Sequence, residues 1–167
     1  MNKLSWFAIV IALGAFLLGG TIPAAAKPPE QGEGYLEYIP TLVKVWVSGG
    51  NTFMTTTEVV TYYGAMSGSF TDVSNVVMYA SGNWTYRAVG TFVGTVSGKS
   101  GSLEMMMLGT RPDAFSEWQG TWVILSGTGA LKNLHGEGTF WGLGYTGNPP
   151  EAPGRIDYAG KMHFDPE

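Results

Sequence analysis

From residue 41 onward, apolar and polar side chains alternate in short runs, and most runs end at glycine, asparagine or aspartate. A repeat of two is the period of a strand with one covered face, so the pattern predicts a succession of β-strands. Residues 41–48 and 52–63 read as a hairpin joined at Gly49-Gly50-Asn51, and the consecutive Thr55, Thr56 and Thr57 count against helix because β-branched side chains lose rotamer freedom there. Residues 64–71 and 75–80 read as two strands about an Asp72-Val73-Ser74 turn, and a long strand follows over 84–96. A turn at 97–101 leads to a strand over 102–108 with Leu103, Met105 and Met107 on one face and Glu104 and Met106 on the other. A loop at 110–114 precedes a strand over 115–125, in which Trp118, Gly120, Trp122 and Ile124 form one alternating set. The glycine-rich run from Ser126 to Gly138 reads as a tight connection into Thr139-Phe140-Trp141, and residues 142–154 carry too much proline for a paired central strand. The final strand, 155–164, places Ile156, Tyr158, Met162 and Phe164 inward and Arg155, Asp157, Lys161 and His163 outward.

Eight or nine strands with short sequential turns and no amphipathic helix predict an all-β fold. It is a closed or nearly closed antiparallel up-and-down barrel of about eight strands, since closure removes the two edges a long sheet would expose.

Composition adjusts this picture at the N-terminus. Lys3, the uncharged run 6–18 and Ala24-Ala25-Ala26 read as a secretory signal peptide over 1–26, shorter than the ~20 residues of a spanning helix. Residues 27–40, with Gly-Glu-Gly and two early prolines, read as a flexible lead-in, leaving 41–167 as one barrel domain. An exported protein is expected, periplasmic, extracellular or on the cell surface, touching membrane only through its leader. It has no cysteine, so burial and strand pairing must supply its stability. The chain has 9 Lys and Arg against 13 Asp and Glu, net −4, and loss of Lys3 would make that −5. Scattered basic residues on an acidic chain argue against nucleic acid as a partner.

The residues Phe92-Val-Gly94-Thr-Val-Ser-Gly98-Lys-Ser100-Gly101-Ser102-Leu103, then Ser126-Gly127-Thr128-Gly129-Ala130-Leu131, Leu134 and Gly136-Glu137-Gly138, resemble a family of small bacterial proteins of unassigned function. The likeness covers roughly 55–164. That family's fold resembles the barrel of allene oxide cyclase and of plant dirigent proteins, which implies an antiparallel barrel around an internal cavity. The sequence departs from the family pattern at Leu125, where glycine is frequent, in an enlarged loop at 145–153, and in its leader. The resemblance brings no catalytic residues with it.

Metal and cofactor chemistry find little footing. There are no cysteines, and His135 and His163 are not spaced as paired ligands, so neither a metal nor a cofactor is expected. His135 reads as a loop or rim residue and His163 as a solvated strand residue beside Asp165. No serine sits in a nucleophile elbow, and the Gly98-Lys99-Ser100 and Gly127-Thr128-Gly129 segments lack the spacing and helix of phosphate or dinucleotide loops. Glu104 and Glu137 are the candidate acid–base residues. Each acts only if it faces the interior, and the competing placement is the outer surface, with Arg87 or Lys99 as a partner for Glu104. Trp84, Tyr86, Phe92, Trp118, Trp122, Tyr158 and Met162 are the candidate ligand-binding set, which would either line a lumen or fill it outright. Asn83-Trp84-Thr85 is a glycosylation sequon in a turn. Binding of a small apolar molecule in the lumen ranks first. Self-association as a homo-oligomeric surface or matrix protein is second, and an isomerase or cyclase of the allene oxide cyclase type third.

Overall fold

The structure is a computed structural model that describes residues 28–144 and 153–166. The leader read at 1–26 and most of the proline-rich connection lie outside the described residues. Eight strands run in chain order: β1 (Glu30–Ser48), β2 (Asn51–Gly64), β3 (Met66–Met78), β4 (Trp84–Val96), β5 (Lys99–Arg111), β6 (Trp118–Gly127), β7 (Leu134–Gly144) and β8 (Gly154–Phe164). Each pairs antiparallel with its sequence neighbour, and β1 also pairs with β8, so the sheet forms a ring.

The joint that completes the ring overturns one expectation. Residues 30–38, read from sequence as part of a flexible lead-in, are the first half of β1 and pair with β8 from Glu30 opposite Met162 to Tyr38 opposite Gly154. Glycine reads as loop chemistry, but here it permits close backbone approach. A Cβ on Gly34 would stand 2.0 Å from the Tyr63 carbonyl oxygen and 2.6 Å from the Tyr158 hydroxyl.

Two further corrections concern turns. The Asp72-Val73-Ser74 segment is the middle of an unbroken β3, registered against Thr57, Glu58 and Thr56 of β2 and Ala88 to Gly90 of β4. The β4–β5 turn is only Ser97-Gly98, both with left-handed φ (49° and 77°), a geometry whose twist suits a two-residue hairpin. Leu125 lies at a register shift where β5 passes from Glu104 to Met105 while β6 passes from Ser126 to Ile124, the signature of a bulge that bends the sheet.

Inward-facing residues of all eight strands form the core. The two ends of the barrel are filled differently. Toward the β2–β3, β4–β5 and β6–β7 connections, Met66, Phe70, Phe92, Val96, Leu103, Met105 and Leu131 are fully enclosed. Leu131 comes from a short 3₁₀ turn, Gly129–Leu131, between β6 and β7. Toward the β1–β2, β3–β4 and β5–β6 connections the interior opens.

Candidate functional site

The open half contains a cavity of about 340 Å³. Its wall is mostly apolar, with Leu36, Met54, Val60, Val76, Met107 and Ile156 among the contributors, and two charged side chains, Glu58 and Arg111, reach it. Strand parity explains both. Glu58 shares the inward set of β2 with Thr56, Val60 and Tyr62, and Arg111 shares the inward set of β5 with Met105, Met107 and Gly109.

Glu58 sits in a buried polar cluster. It is 6 % exposed, and directly across the β2–β3 ladder is Asp72, 3 % exposed. The Thr56 and Ser74 hydroxyls donate to Glu58 Oε1 at 3.3 and 3.2 Å, and the Tyr86 hydroxyl donates to Asp72 Oδ2 at 3.4 Å. Asp72 Oδ1 is buried without a hydrogen-bond partner. Gly90 makes room for this carboxyl, since a Cβ there would stand 2.6 Å from that of Asp72. Burial, and then the like charge of Glu58, push the Asp72 pKa up to about 8, opposed by the Tyr86 hydrogen bond. Burial also raises Glu58, against the two hydroxyls that favour its charged form. Two adjacent carboxyls without a cation hold at least one proton near neutrality, which makes the cluster a potential hydrogen-bond donor as well as acceptor.

Arg111 ends β5 beside the mouth. Its guanidinium lies 3.8 Å from the Trp84 ring centroid and 4.6 Å from that of Trp118, so two indole faces support the cation. Burial lowers its pKa, opposed by Tyr38 and Asp113.

The predicted site residues fall into three groups. Trp84, Tyr86 and Trp118 line the cavity. Phe92, Trp122, Tyr158 and Met162 are buried beyond it in the filled half, where the Trp122 and Tyr158 rings meet edge to face at 6.4 Å. Glu104 and Glu137 lie exposed on the outer face. Glu104 accepts a 3.5 Å hydrogen bond from the Ser126 hydroxyl, in place of the expected Arg87 or Lys99, and Glu137 stands opposite Lys161 in the β7–β8 ladder. Asn83 is exposed in the β3–β4 connection, accepting from the Ser81 hydroxyl. His135 and His163 stack on the outer face, with Asp165 2.9 Å from His135 and 3.8 Å from His163. The residues missed from sequence are Glu58, Asp72 and Arg111. For Glu58 the signal was present in its alternation with Val60 and Tyr62.

This architecture, a ring of eight antiparallel strands half filled with aromatics, has a counterpart among known families. The profile described as "Protein of unknown function (DUF3224)" matches residues 44–142, and the chain belongs to that family. A crystal structure of a DUF3224 protein of unknown function from Shewanella oneidensis MR-1 is similar with a TM-score of 0.66 at 19% identity, covering 84% of this chain and 100% of that one. At that identity the likeness speaks for the fold alone. No curated protein matches the sequence.

Proposed function

We propose that the protein is an exported binder of small, mostly apolar molecules, which it holds in the open half of the barrel. The observation that carries this reading is the half-empty lumen. Its cavity of about 340 Å³ falls within the roughly 300–1,000 Å³ of small-molecule sites and has the usual composition of apolar walls with a few polar groups. Titration with N-phenyl-1-naphthylamine should give a saturable fluorescence rise at one dye per chain. Val76→Trp, which projects an indole into the cavity, should abolish it while leaving the fold intact by circular dichroism. A linear, non-saturable response in the parent protein would remove the reading.

The allene oxide cyclase-like reading, with its isomerase chemistry, needs a carboxyl inside the barrel. Glu104 and Glu137 do not supply one, so that reading now rests on Glu58 and Asp72. A second reading, association with another copy of the chain, is favoured by β1. Among the described residues its stretch beyond Tyr38 pairs only with β2, and Leu42, Val43, Val45 and Val47 are exposed there. An apolar strand edge is a template for antiparallel pairing with a second copy about a two-fold axis. Light scattering would report a dimer if this edge is paired between chains, and a monomer would end that reading.

A further inference from the structure

Among the described residues no carboxylate forms an ion pair with the cavity's cation, and that bears on what the cavity takes. We infer that its ligand is a small carboxylate with an apolar body, the anion held by Arg111 and the body lying against the apolar wall. This rests on the lumen-binding reading and specifies its ligand class.

Arg111 is 8 % exposed, lines the cavity, and has no acidic side chain within ion-pair distance among the described residues. Its Nε is buried without an acceptor. A guanidinium carries five N–H donors and stays charged, so withdrawing it from water is costly unless an anion or several acceptors face it. The indoles of Trp84 and Trp118 support its faces, but ring faces leave the in-plane donors unanswered.

Among the described residues, the acids nearest in the fold accept from other donors. Asp113, two residues on, acts on Arg111 through charge without an ion-pair contact, and its oxygens accept within its own turn: Oδ1 from the Phe115 and Ser116 amides at 2.8 Å each, and Oδ2 from the Ser116 hydroxyl at 2.9 Å. Glu58 accepts from Thr56 and Ser74 in the deeper cluster. The register separates these groups: Arg111 stands opposite Trp84 of β4, whereas Asp72, the partner of Glu58, stands opposite Gly90. That offset along β4 corresponds to about 20 Å of strand. The cavity therefore has a cationic mouth, an apolar middle and a proton-holding floor. A planar carboxylate matches the fork of a guanidinium in two parallel hydrogen bonds, and an aliphatic or aromatic body matches the middle.

The test compares decanoate with decan-1-ol and methyl decanoate, all below micellar concentrations at pH 7.4, by calorimetry and by displacement of N-phenyl-1-naphthylamine. The parent protein should bind decanoate at least tenfold more tightly than either neutral probe. Arg111→Met should lose at least tenfold for decanoate with little change for decan-1-ol, and Arg111→Lys should retain part of the preference. Equal affinity for the acid and neutral probes in the parent protein would overturn the inference, and that comparison needs no variant to fold. Displacement of the dye by the neutral probes alone would also overturn it while leaving lumen binding intact. Failure of every probe, dye included, would remove both.

Discussion

The two halves of the barrel are built from the same alternating strands and the same register, yet one is a solid aromatic plug and the other a lined cavity. In the plug, Tyr62 meets Phe70 and Phe92 edge to face at 6.2 and 5.7 Å, and Trp122 meets Tyr158 in the same way. Such contacts add roughly 0.5–1.5 kcal/mol each beyond the area they bury. The buried Tyr158 hydroxyl ties strands together, accepting from the Met66 amide at 2.9 Å and donating to the Tyr63 carbonyl at 3.2 Å. In the open half the equivalent inward positions carry Thr56, Glu58, Asp72, Ser74 and Arg111. The difference teaches that the fold is secured at one end, which leaves the other free to hold polar groups that a small core would otherwise exclude.

The largest expected effect breaks the plug. Trp122→Ala removes a ring packed between Gly138 and Gly160, whose own Cβ atoms would stand 2.7 and 2.3 Å from it. A cavity of that size costs about 3–5 kcal/mol, read by urea denaturation as a lower midpoint. Trp122→Phe should cost distinctly less, because the Trp122 Nε1 is buried without an acceptor and phenylalanine removes that unpaired donor. Trp118→Ala, at the mouth, should reduce stability less than Trp122→Ala while removing dye binding. Equal stability losses at both positions would erase the distinction between the halves.

The next effect sharpens the contrast through pH. Asp72 has an ordinary pKa of 3.8 and is held near 8 when folded, so between these values the folded chain keeps a proton that the unfolded chain releases. Stability must therefore fall as pH rises from about 4 to about 8 and level off above, with a slope approaching 1.4 kcal/mol per pH unit from this group. The upward displacement of Glu58 acts in the same direction. Asp72→Asn should flatten the profile and raise stability at pH 8 relative to the parent. Urea midpoints measured across pH 4 to 9 check this, and a profile that rises with pH would contradict the burial of the pair.

Much of the barrel interior was legible in the sequence because strand parity is local. The sets Leu103, Met105, Met107 and Ile156, Tyr158, Met162 point inward as their alternation requires. The site was less legible for an equally physical reason. Asp72-Val73-Ser74 has the composition of a turn, and only its register against Glu58 and Gly90 shows it to be mid-strand. Arg111 precedes Pro112, which suggests a loop, although β5 carries its parity through to that residue. The opening of β1 was misread because Gly32 and Gly34 signal flexibility in isolation, whereas their value is the closeness they allow to β2 and β8. Nonlocal pairing decided each case.

The smallest expected effect tests the other division in the molecule, between the inner and outer faces of a single strand. Glu137 lies on the outer face of β7, one residue from the inward Gly136 and Gly138, and pairs across the ladder with Lys161. Cross-strand opposite charges contribute roughly 0.2–1 kcal/mol, less where both are solvated and screened. Glu137→Gln should therefore shift stability by no more than about 0.5 kcal/mol, measured by urea denaturation, and leave dye affinity unchanged. The matched change in the lumen, Glu58→Gln, alters a group that lines the cavity and accepts from two buried hydroxyls, and it should change affinity measurably. If the outer substitution weakened binding as much as the inner one, alternation along the strands would no longer separate the surface from the site.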